Sequence, residues 1–298
     1  METTSPSKFS QRHPLAFGFM LIFTAVVIFM VAMAVFNFLF MSDKSRLRSG
    51  DVIGVVNISG LITDPRDIVD WISELEKNDK VKAVIVRVNS PGGVVAPSQE
   101  IFAAVRKLAG SRTVVVSMGA MATSGGYYVA SPAHKIVANP GTLTANIGVK
   151  ASLTNMQELL QKIGVETETI YSGRYKDAGT VTRPVTEEER VYLQGLIDDM
   201  HHQFVHDVAA GRNMEPEKVS LLADGKAMTG RQAKEAGLVD ILGGFSVAVE
   251  LARDLAGLRE KVVLLEGPVE KVSLLRRIVG EFSVQQSLTG PQWVFSYE

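Results

Sequence analysis

The residues of this sequence best suited to chemistry are a serine and the small residues around it. Ser124-Gly125-Gly126 lies within the stretch Ser117–Tyr128, which follows the three valines at 114–116. The valines predict a buried strand, and the small residues after it would leave room for a carbonyl substrate. Glycine also lets backbone N–H groups approach an oxyanion. The motif alone is weak evidence, because Ser-Gly-Gly also occurs in ordinary turns.

A serine nucleophile needs a base, and Lys176 is the first candidate. It stands in the glycine-containing loop 172–179, after a strand predicted at 165–171. Burial would favour the neutral amine, which could then accept the Ser124 proton. The alternative, a solvated lysine in a surface loop, stays open. A Gly-x-Ser-x-Gly hydrolase elbow is only half present, because Ala122 replaces its first glycine.

Histidine is the second candidate base, and it receives less support. His202 and His206 are four positions apart on a predicted helix, a spacing that could bind zinc. The residue after His202 is Gln203, where a zinc peptidase would use glutamate, and no third ligand is evident. We therefore predict no metal site and interpret this helix face as solvated. His134 is expected at the surface, at the start of a strand.

The segments around these residues alternate between strand and helix patterns. Such alternation predicts an α/β domain with parallel strands and right-handed crossovers. The predicted strands are 52–58, 81–88 and 113–117, with helices from Asp64-Pro65 and over 96–109. Later helices are predicted at 153–163 and from the Thr186/Glu189 capping box to about Ala210, closed by Gly211.

Two glycine turns fall at the same edge of the predicted sheet. Pro91-Gly92-Gly93 follows the second strand, and Ser124-Gly125-Gly126 follows the third. Ligands of parallel α/β sheets bind beyond the carboxyl ends of the strands. This coincidence favours a functional site over two unrelated turns.

The N-terminal part of the chain predicts a membrane anchor. Leu15 to Met41 contains no charged residue, and roughly 20 apolar residues span a bilayer. Ala32-Met33-Ala34 looks like a signal-peptidase site, but the apolar run continues past it, so we predict an uncleaved anchor. Lysine and arginine flank both ends of the span, so the positive-inside rule does not decide its orientation.

Composition excludes several classes of function. The formal net charge is −1 and the body of the chain has no long basic run, so no nucleic-acid partner is indicated. The chain contains no cysteine, which excludes disulfides, iron–sulfur clusters and thiol catalysis.

Four motifs together are similar to those of a known family. They are, in chain order, Asn89-Ser90-Pro91-Gly92-Gly93, Ser117-Met118-Gly119 through Ser124-Gly125-Gly126-Tyr127-Tyr128, Thr144-Ala145-Asn146-Ile147-Gly148-Val149, and Gly173-Arg174-Tyr175-Lys176-Asp177. The chain resembles the short, single-domain form of signal peptide peptidase A, a membrane-anchored serine peptidase with a Ser–Lys dyad. The resemblance covers roughly residues 50–260. Thr123 and Asn146 depart from the residues common at those positions, without removing a catalytic group.

The resemblance implies a role for each matching residue. Ser124 would be the nucleophile and Lys176 the general base. The backbone N–H groups of Gly93 and Gly125 would form the oxyanion hole, with Gly92 as the alternative donor to Gly93. It implies no cofactor and no metal.

The resemblance also implies an architecture. We expect an α/β, crotonase/Clp-protease-like fold with a parallel sheet and flanking helices, preceded by one N-terminal transmembrane helix. The expected domains are a cytoplasmic segment at 1–14, the transmembrane anchor at 15–41, a serine peptidase domain at 50–260 and a C-terminal tail at 261–298. The tail is interpreted as peripheral, with an amphipathic segment at Leu274–Ile278.

Finally, the resemblance implies a cellular setting. The catalytic domain would face the extracytoplasmic side of the cell inner membrane, in a homo-oligomeric ring or dome whose neighbouring subunits help form the substrate groove. The implied substrates are signal peptides already cut from secreted proteins. Broader degradation of unfolded apolar segments, a crotonase-type acyl-CoA enzyme and a non-catalytic membrane scaffold are the alternatives.

Overall fold

The computed structural model describes residues 14–36, 51–258, 262–268 and 295–297, in two separate units. The first unit contains one helix, α1, over Pro14–Phe36. Its stretch Phe17–Val35 is long and apolar enough to cross a membrane, and none of it is buried by protein. The end of the anchor predicted at 37–41 lies outside the described residues, as does the segment Leu274–Ile278.

The second unit begins at Asp51 and is an α/β domain. Its strands are β1 Val52–Ile62, β2 Val81–Val94, β3 Thr113–Thr123, β4 Lys135–Ala138, β5 Leu143–Ala145, β6 Lys150–Ala151, β7 Ala227–Thr229, β8 Ile241–Leu242, β9 Val263–Gly267 and β10 Phe295–Tyr297. Its helices are α2 Arg66–Lys77, α3 Val95–Ala109, α4 Gly125–Ala130, α5 Gln157–Lys162, α6 Glu187–Arg212, α7 Pro216–Leu222, α8 Gly230–Glu235 and α9 Phe245–Leu255.

The main sheet is parallel, with strand order β9-β1-β2-β3-β4-β8. The far end of β3 also pairs in parallel with β5, which pairs antiparallel with β7. Helices cover both faces of this sheet, as side chains along β2 show. Val84 and Val86 are buried with residues of α2, α3 and α4, whereas Ile85 is buried with residues of α9. The predicted α/β class, mostly parallel sheet and flanking helices are confirmed.

The strands that carry the two glycine motifs are longer than predicted. Pro91-Gly92-Gly93 was expected to end the second strand as a turn, but β2 continues through it to Val94. Its extension pairs with β1, Leu61 opposite Gly92 and Ile62 opposite Gly93, after a register shift at Ser59/Leu61. The strand therefore bends at an irregularity and continues pairing, which a local turn signal cannot reveal. Likewise, β3 runs to Thr123 and ends next to Ser124.

The region that carries Lys176 differs more from the prediction. No strand forms at 165–171, where the backbone is irregular and its apolar side chains remain exposed. The predicted helix over 153–163 is reduced to α5. The long helix begins at the predicted capping box but runs to Arg212, and Asn213, with φ 50°, is its left-handed cap. Gly211 lies within the helix, where a Cβ would come 2.7 Å from the Ser131 carbonyl oxygen.

Two strands follow residue 260. β9 pairs in parallel with β1. β10 pairs antiparallel with β2, Tyr297 opposite Gly93 and Ser296 opposite Val94, and also with β6. Part of the segment interpreted as a peripheral tail thus lies against the glycine motif of β2.

Candidate active site

Ser124 stands on a sharp turn between a strand and a helix. It directly follows β3 and is the residue before α4, with φ 53° and ψ −117°. A non-glycine residue in such a conformation is strained and persists only where the surroundings enforce it, often at an active site. The turn has the form of a nucleophile elbow, although Ala122 replaces the expected glycine.

The Ser124 hydroxyl is buried without a hydrogen-bond partner among the described residues. A buried hydroxyl normally finds a partner, so an unpartnered one needs a physical reason. A nucleophile supplies such a reason, because its oxygen must be free to attack a substrate.

Two further strained residues lie against Ser124. Ala145 (φ 60°) and Asn146 (φ 55°) join Ser124 among the four non-glycine residues of positive φ in the described chain. The Ser124 N–H donates to the Ala145 carbonyl at 2.7 Å. Asn146 binds a separate loop, through its N–H to the Lys226 carbonyl (3.1 Å) and through its side-chain amide to the Gly225 carbonyl (2.6 Å). Clustered strain of this kind is typical of functional sites.

The structure brings the two predicted oxyanion glycines together. A Cβ on Gly125 would lie 3.2 Å from the Gly93 nitrogen and 3.3 Å from the Gly92 Cα. A Cβ on Gly93 would lie only 2.1 Å from the Ile62 carbonyl oxygen. A Cβ on Gly125 would also lie 2.8 Å from the Ser98 hydroxyl oxygen, so neither position has room for a side chain. Gly92, with φ 115°, needs glycine for its conformation as well.

Ser90 orders the segment before these glycines. Its buried hydroxyl donates to the Gly60 carbonyl at 2.6 Å and accepts from the Gly92 N–H at 3.1 Å. Since the Gly92 N–H already has this partner, Gly93 is the better candidate for the oxyanion donor.

The helix after Ser124 is anchored by two tyrosines. The Tyr128 ring packs 4.8 Å from Phe102 and, edge-on, 4.8 Å from Phe204. Its hydroxyl donates to the Asp207 carboxylate on α6. The Tyr127 hydroxyl donates to the Leu238 carbonyl at 3.0 Å, and burial raises the pKa of Tyr127. Nothing in the sequence singled out Asp207 or Leu238, since their partners are distant along the chain.

Lys176 is exposed, whereas Ser124 is buried. Lys176 is in a surface turn, with its N–H donating to the Gly173 carbonyl at 3.1 Å and its side chain exposed. Since the Ser124 hydroxyl has no hydrogen-bond partner among the described residues, no hydrogen bond joins the two predicted dyad residues.

The loop that carries Lys176 is fastened to the start of α6 by ion pairs. Arg183 pairs with Asp177 at 3.2 Å and with Glu189 at 2.6 Å. Arg174 pairs with Glu188, which also accepts from the Tyr175 hydroxyl at 2.6 Å. Asp177, Arg174 and Tyr175 flank Lys176, so these contacts fix the backbone from which its side chain projects.

None of the histidines that the structure describes is hydrogen-bonded to the Ser124 hydroxyl. His202 and His206 are exposed on α6, as predicted. Within the described residues, no group of three histidine, cysteine, aspartate or glutamate side chains could hold a metal ion. His134 is exposed at the start of β4, where its Nδ1 accepts from the Val114 N–H at 3.1 Å.

Comparisons with known proteins identify the family. The model of peptidase family S49 matches residues 106–259. The chain is 44% identical over 209 residues to a Synechocystis protein named "Putative protease slr0021", covering 70% of this chain and 76% of that protein. It is 36% identical over 230 residues to protease 4 of Salmonella typhi, and 34% identical over 218 residues to the chloroplastic serine protease SPPA of Arabidopsis thaliana.

The last two relatives are longer proteins. The matched segments cover 74% and 72% of this chain but only 37% and 32% of those relatives. The family model spans about half of this chain and contains Ser124 and Lys176. Gly93 lies before residue 106, where the family match begins, but it is on β2, whose end adjoins Gly125. The chain belongs to peptidase family S49, that of signal peptide peptidase A, and is a protease.

Proposed function

We propose that this protease is a serine endopeptidase whose nucleophile is Ser124. Lys176, as the neutral amine, takes the serine proton while the oxygen attacks a peptide carbonyl. The N–H groups of Gly93 and Gly125 stabilise the resulting oxyanion. The lysine then protonates the leaving amine, and water hydrolyses the acyl-enzyme. No step requires a metal or a cofactor.

The observation that carries this proposal is the Ser124 hydroxyl itself. It is buried, unpartnered and held on a strained turn whose next residue, Gly125, adjoins the Gly93 backbone. An ordinary structural serine would bond its hydroxyl, as Ser131 does to the Tyr128 carbonyl at 2.8 Å. The pairing of β10 with Gly93 and Val94 adds support, because this strand edge accepts an extended chain, the form in which peptides bind to sheets.

Lys176 must reach Ser124 for this mechanism, and an assembly of several copies would change its surroundings. The segment before Lys176 exposes large apolar side chains, among them Leu159, Ile163 and Ile170, which is 93% exposed. Exposed apolar clusters of this kind mark interaction surfaces. We propose that further copies of this chain cover this segment in a homo-oligomer and desolvate the Lys176 amine.

The assembly is tested by light scattering of the detergent-solubilised full chain. Ile170→Asp should lower the oligomer mass, because a carboxylate would be buried in the contact. Leu221→Asp is the matched control, since Leu221 is 83% exposed on α7, outside this segment. Equal masses for both variants and the wild type would remove this surface from the proposal.

We propose that α1 anchors the protein in the cell inner membrane, with the protease domain on the extracytoplasmic side. The apolar length of α1 and the name of the family support this setting. The proposed substrates are signal peptides released from secreted proteins, whose apolar cores suit a groove that adds an extended strand. A peptide library that compares apolar with charged sequences would separate this specificity from general degradation of unfolded segments.

The decisive experiment is active-site labelling with a fluorophosphonate. The wild-type chain should be labelled on Ser124 and hydrolyse peptides. Ser124→Ala and Lys176→Ala should lose both activities, and Lys176→Arg should also be inactive, because a guanidinium stays charged. Ser131→Ala, which removes a bonded buried hydroxyl seven positions away, should keep both. Undiminished hydrolysis by folded Ser124→Ala would refute the mechanism.

A further inference from the structure

The backbone ladder between the two segments that carry the oxyanion glycines ends before it reaches the site. β2 and β3 are paired in parallel as far as Ser90 opposite Ala122. On its other edge, the end of β3 pairs with β5, Thr123 opposite Ala145. Beyond Ser90, β2 pairs with β1 and β10. The regular β2–β3 ladder therefore stops before Gly93 and Gly125.

A side chain continues the link where the ladder stops. The Thr123 hydroxyl donates to the Pro91 carbonyl at 2.9 Å, and Thr123 is only 6% exposed. Thr123 stands two residues before Gly125, and Pro91 stands two residues before Gly93. The bond thus joins equivalent points on the two segments, close to both glycine N–H groups.

We propose that Thr123 is a positioning residue, whose hydroxyl sets the spacing between the N–H groups of Gly93 and Gly125. This inference rests on the proposed function, in which those two groups bind the oxyanion. The donors of an oxyanion hole must already point at the position where the negative charge develops. A displacement of about 1 Å from productive geometry can reduce a rate about a hundredfold. The hydrogen bond from Thr123 to Pro91 should therefore affect the rate of the chemical step.

The rival interpretation is that Thr123 only satisfies a buried hydroxyl. Thr142, the residue before β5, has a buried hydroxyl of that kind. The residue is 2% exposed, and its hydroxyl donates to the Gly119 carbonyl of β3 at 2.7 Å rather than to the segment 91–93. The Thr142 hydroxyl also accepts from the Asn139 N–H at 3.2 Å, so it makes at least as many hydrogen bonds as the Thr123 hydroxyl does. It serves as a matched control for the loss of a buried hydroxyl.

Three full-length variants test the inference by steady-state hydrolysis and by the rate of fluorophosphonate labelling. Thr123→Val keeps the branched shape and removes the donor, so kcat and the labelling rate should fall about ten- to a hundredfold while KM changes less than about threefold. Thr123→Ser restores the donor and should recover kcat to within about threefold of the wild type. Thr142→Val should lose thermal stability and retain kcat.

The outcomes separate the inference from the function on which it rests. A kcat of Thr123→Val within about twofold of the wild type would overturn the positioning role. So would an equal loss of kcat in Thr142→Val, because the effect would then follow from general destabilisation. If the wild-type protein is not labelled on Ser124 at all, the proposed function itself is refuted. That result is seen in the wild type, without any variant.

Discussion

Replacing Glu189 with glutamine tests the ion pairs that fasten the Lys176 loop. Glu189 lies in the first turn of α6, where its side chain is only 7% exposed. Its two carboxylate oxygens accept from Arg183 at 2.6 and 3.0 Å, and one of them also accepts from the Thr186 N–H at 2.9 Å. The same Arg183 side chain donates to the Asp177 carbonyl, next to Lys176, at 3.2 Å. Glu189→Gln keeps the size and the helix cap but removes the charge.

The size of the effect follows from the pKa of Glu189. The hydrogen bonds of Arg183 lower this pKa from its ordinary value of 4.5 to about 2, against the opposing effect of burial. Each pKa unit corresponds to about 1.4 kcal/mol, so the ionised group stabilises the fold by at most roughly 3 kcal/mol. Bonds between charged groups of this kind are typically worth about 1.5–3 kcal/mol. We therefore expect Glu189→Gln to lower the free energy of unfolding by about 2–3 kcal/mol at pH 7.

The pH dependence has a definite sign. Because the pKa is depressed in the folded protein, the stabilisation is complete above the unfolded value of 4.5 and is lost as pH falls through about 2. The difference between the wild type and Glu189→Gln should therefore shrink to roughly 1 kcal/mol at pH 3. Urea unfolding at pH 7 and pH 3, followed by circular dichroism, measures both values.

Glu187→Gln is the control for this experiment. Glu187 is in the same helical turn, but its side chain is 84% exposed and its ion pair with Arg190 spans 3.6 Å. Exposed pairs contribute at most about 1 kcal/mol, so this variant should be close to the wild type at both pH values. A Glu189→Gln effect equal to that of Glu187→Gln, or one that does not decrease at pH 3, would refute the reasoning.

Three further changes test other parts of the site. Tyr128→Phe keeps the ring and removes the hydroxyl bound by Asp207, so urea unfolding should show a loss of about 1–3 kcal/mol, and an unchanged midpoint would contradict this pairing. Gly125→Ala would place a methyl group 2.8 Å from the Ser98 hydroxyl oxygen and 3.2 Å from the Gly93 nitrogen, so these groups must shift and fluorophosphonate labelling should slow about a hundredfold. Removing residues 295–298 frees the β2 edge beside Gly93, so hydrolysis at low peptide concentration should rise. The gain should be at most about tenfold, because β10 makes only a few net hydrogen bonds to this edge and their contribution is offset by the entropy lost in ordering the segment. An unchanged rate would show that β10 does not compete with substrate.

The fold class and the place of Ser124 between a strand and a helix could be predicted from local patterns. Valine-rich strands alternating with amphipathic helices specify a covered parallel sheet, and the Ser124 motif follows a strand of that sheet. The extension of β2 could not be predicted, because Pro91-Gly92-Gly93 has the composition of a turn and only pairing with β1 keeps it extended. Thr123 departs from the residues common in the family, but its bond to Pro91 depends on where the ladder between β2 and β3 ends.

The Lys176 region shows why loops are harder to predict than the sheet. The apolar residues at 165–171 resemble a strand, yet none of the described strands pairs with them, and Ile170 remains exposed. Pattern alone cannot tell whether an apolar segment is buried by its own fold or by another copy. The pairing of β10 with Gly93 was missed for a related reason, because the surrounding glutamine, serine, glycine and proline residues indicate a loose tail.

The strain at Ser124 ties the chemistry of the site to segments far along the chain. A left-handed conformation at a non-glycine residue costs about 1–3 kcal/mol, and three such residues meet here. Ser124 is held through the Ala145 carbonyl, and Asn146 is held in turn by the carbonyls of Gly225 and Lys226. A relaxed turn could aim the hydroxyl at a backbone acceptor, as Ser131 does, and the oxygen would then have to break that bond before it attacked a substrate. The same contacts that maintain the strain therefore keep the oxygen free, and they are tertiary contacts that no local pattern around Ser124 could have shown.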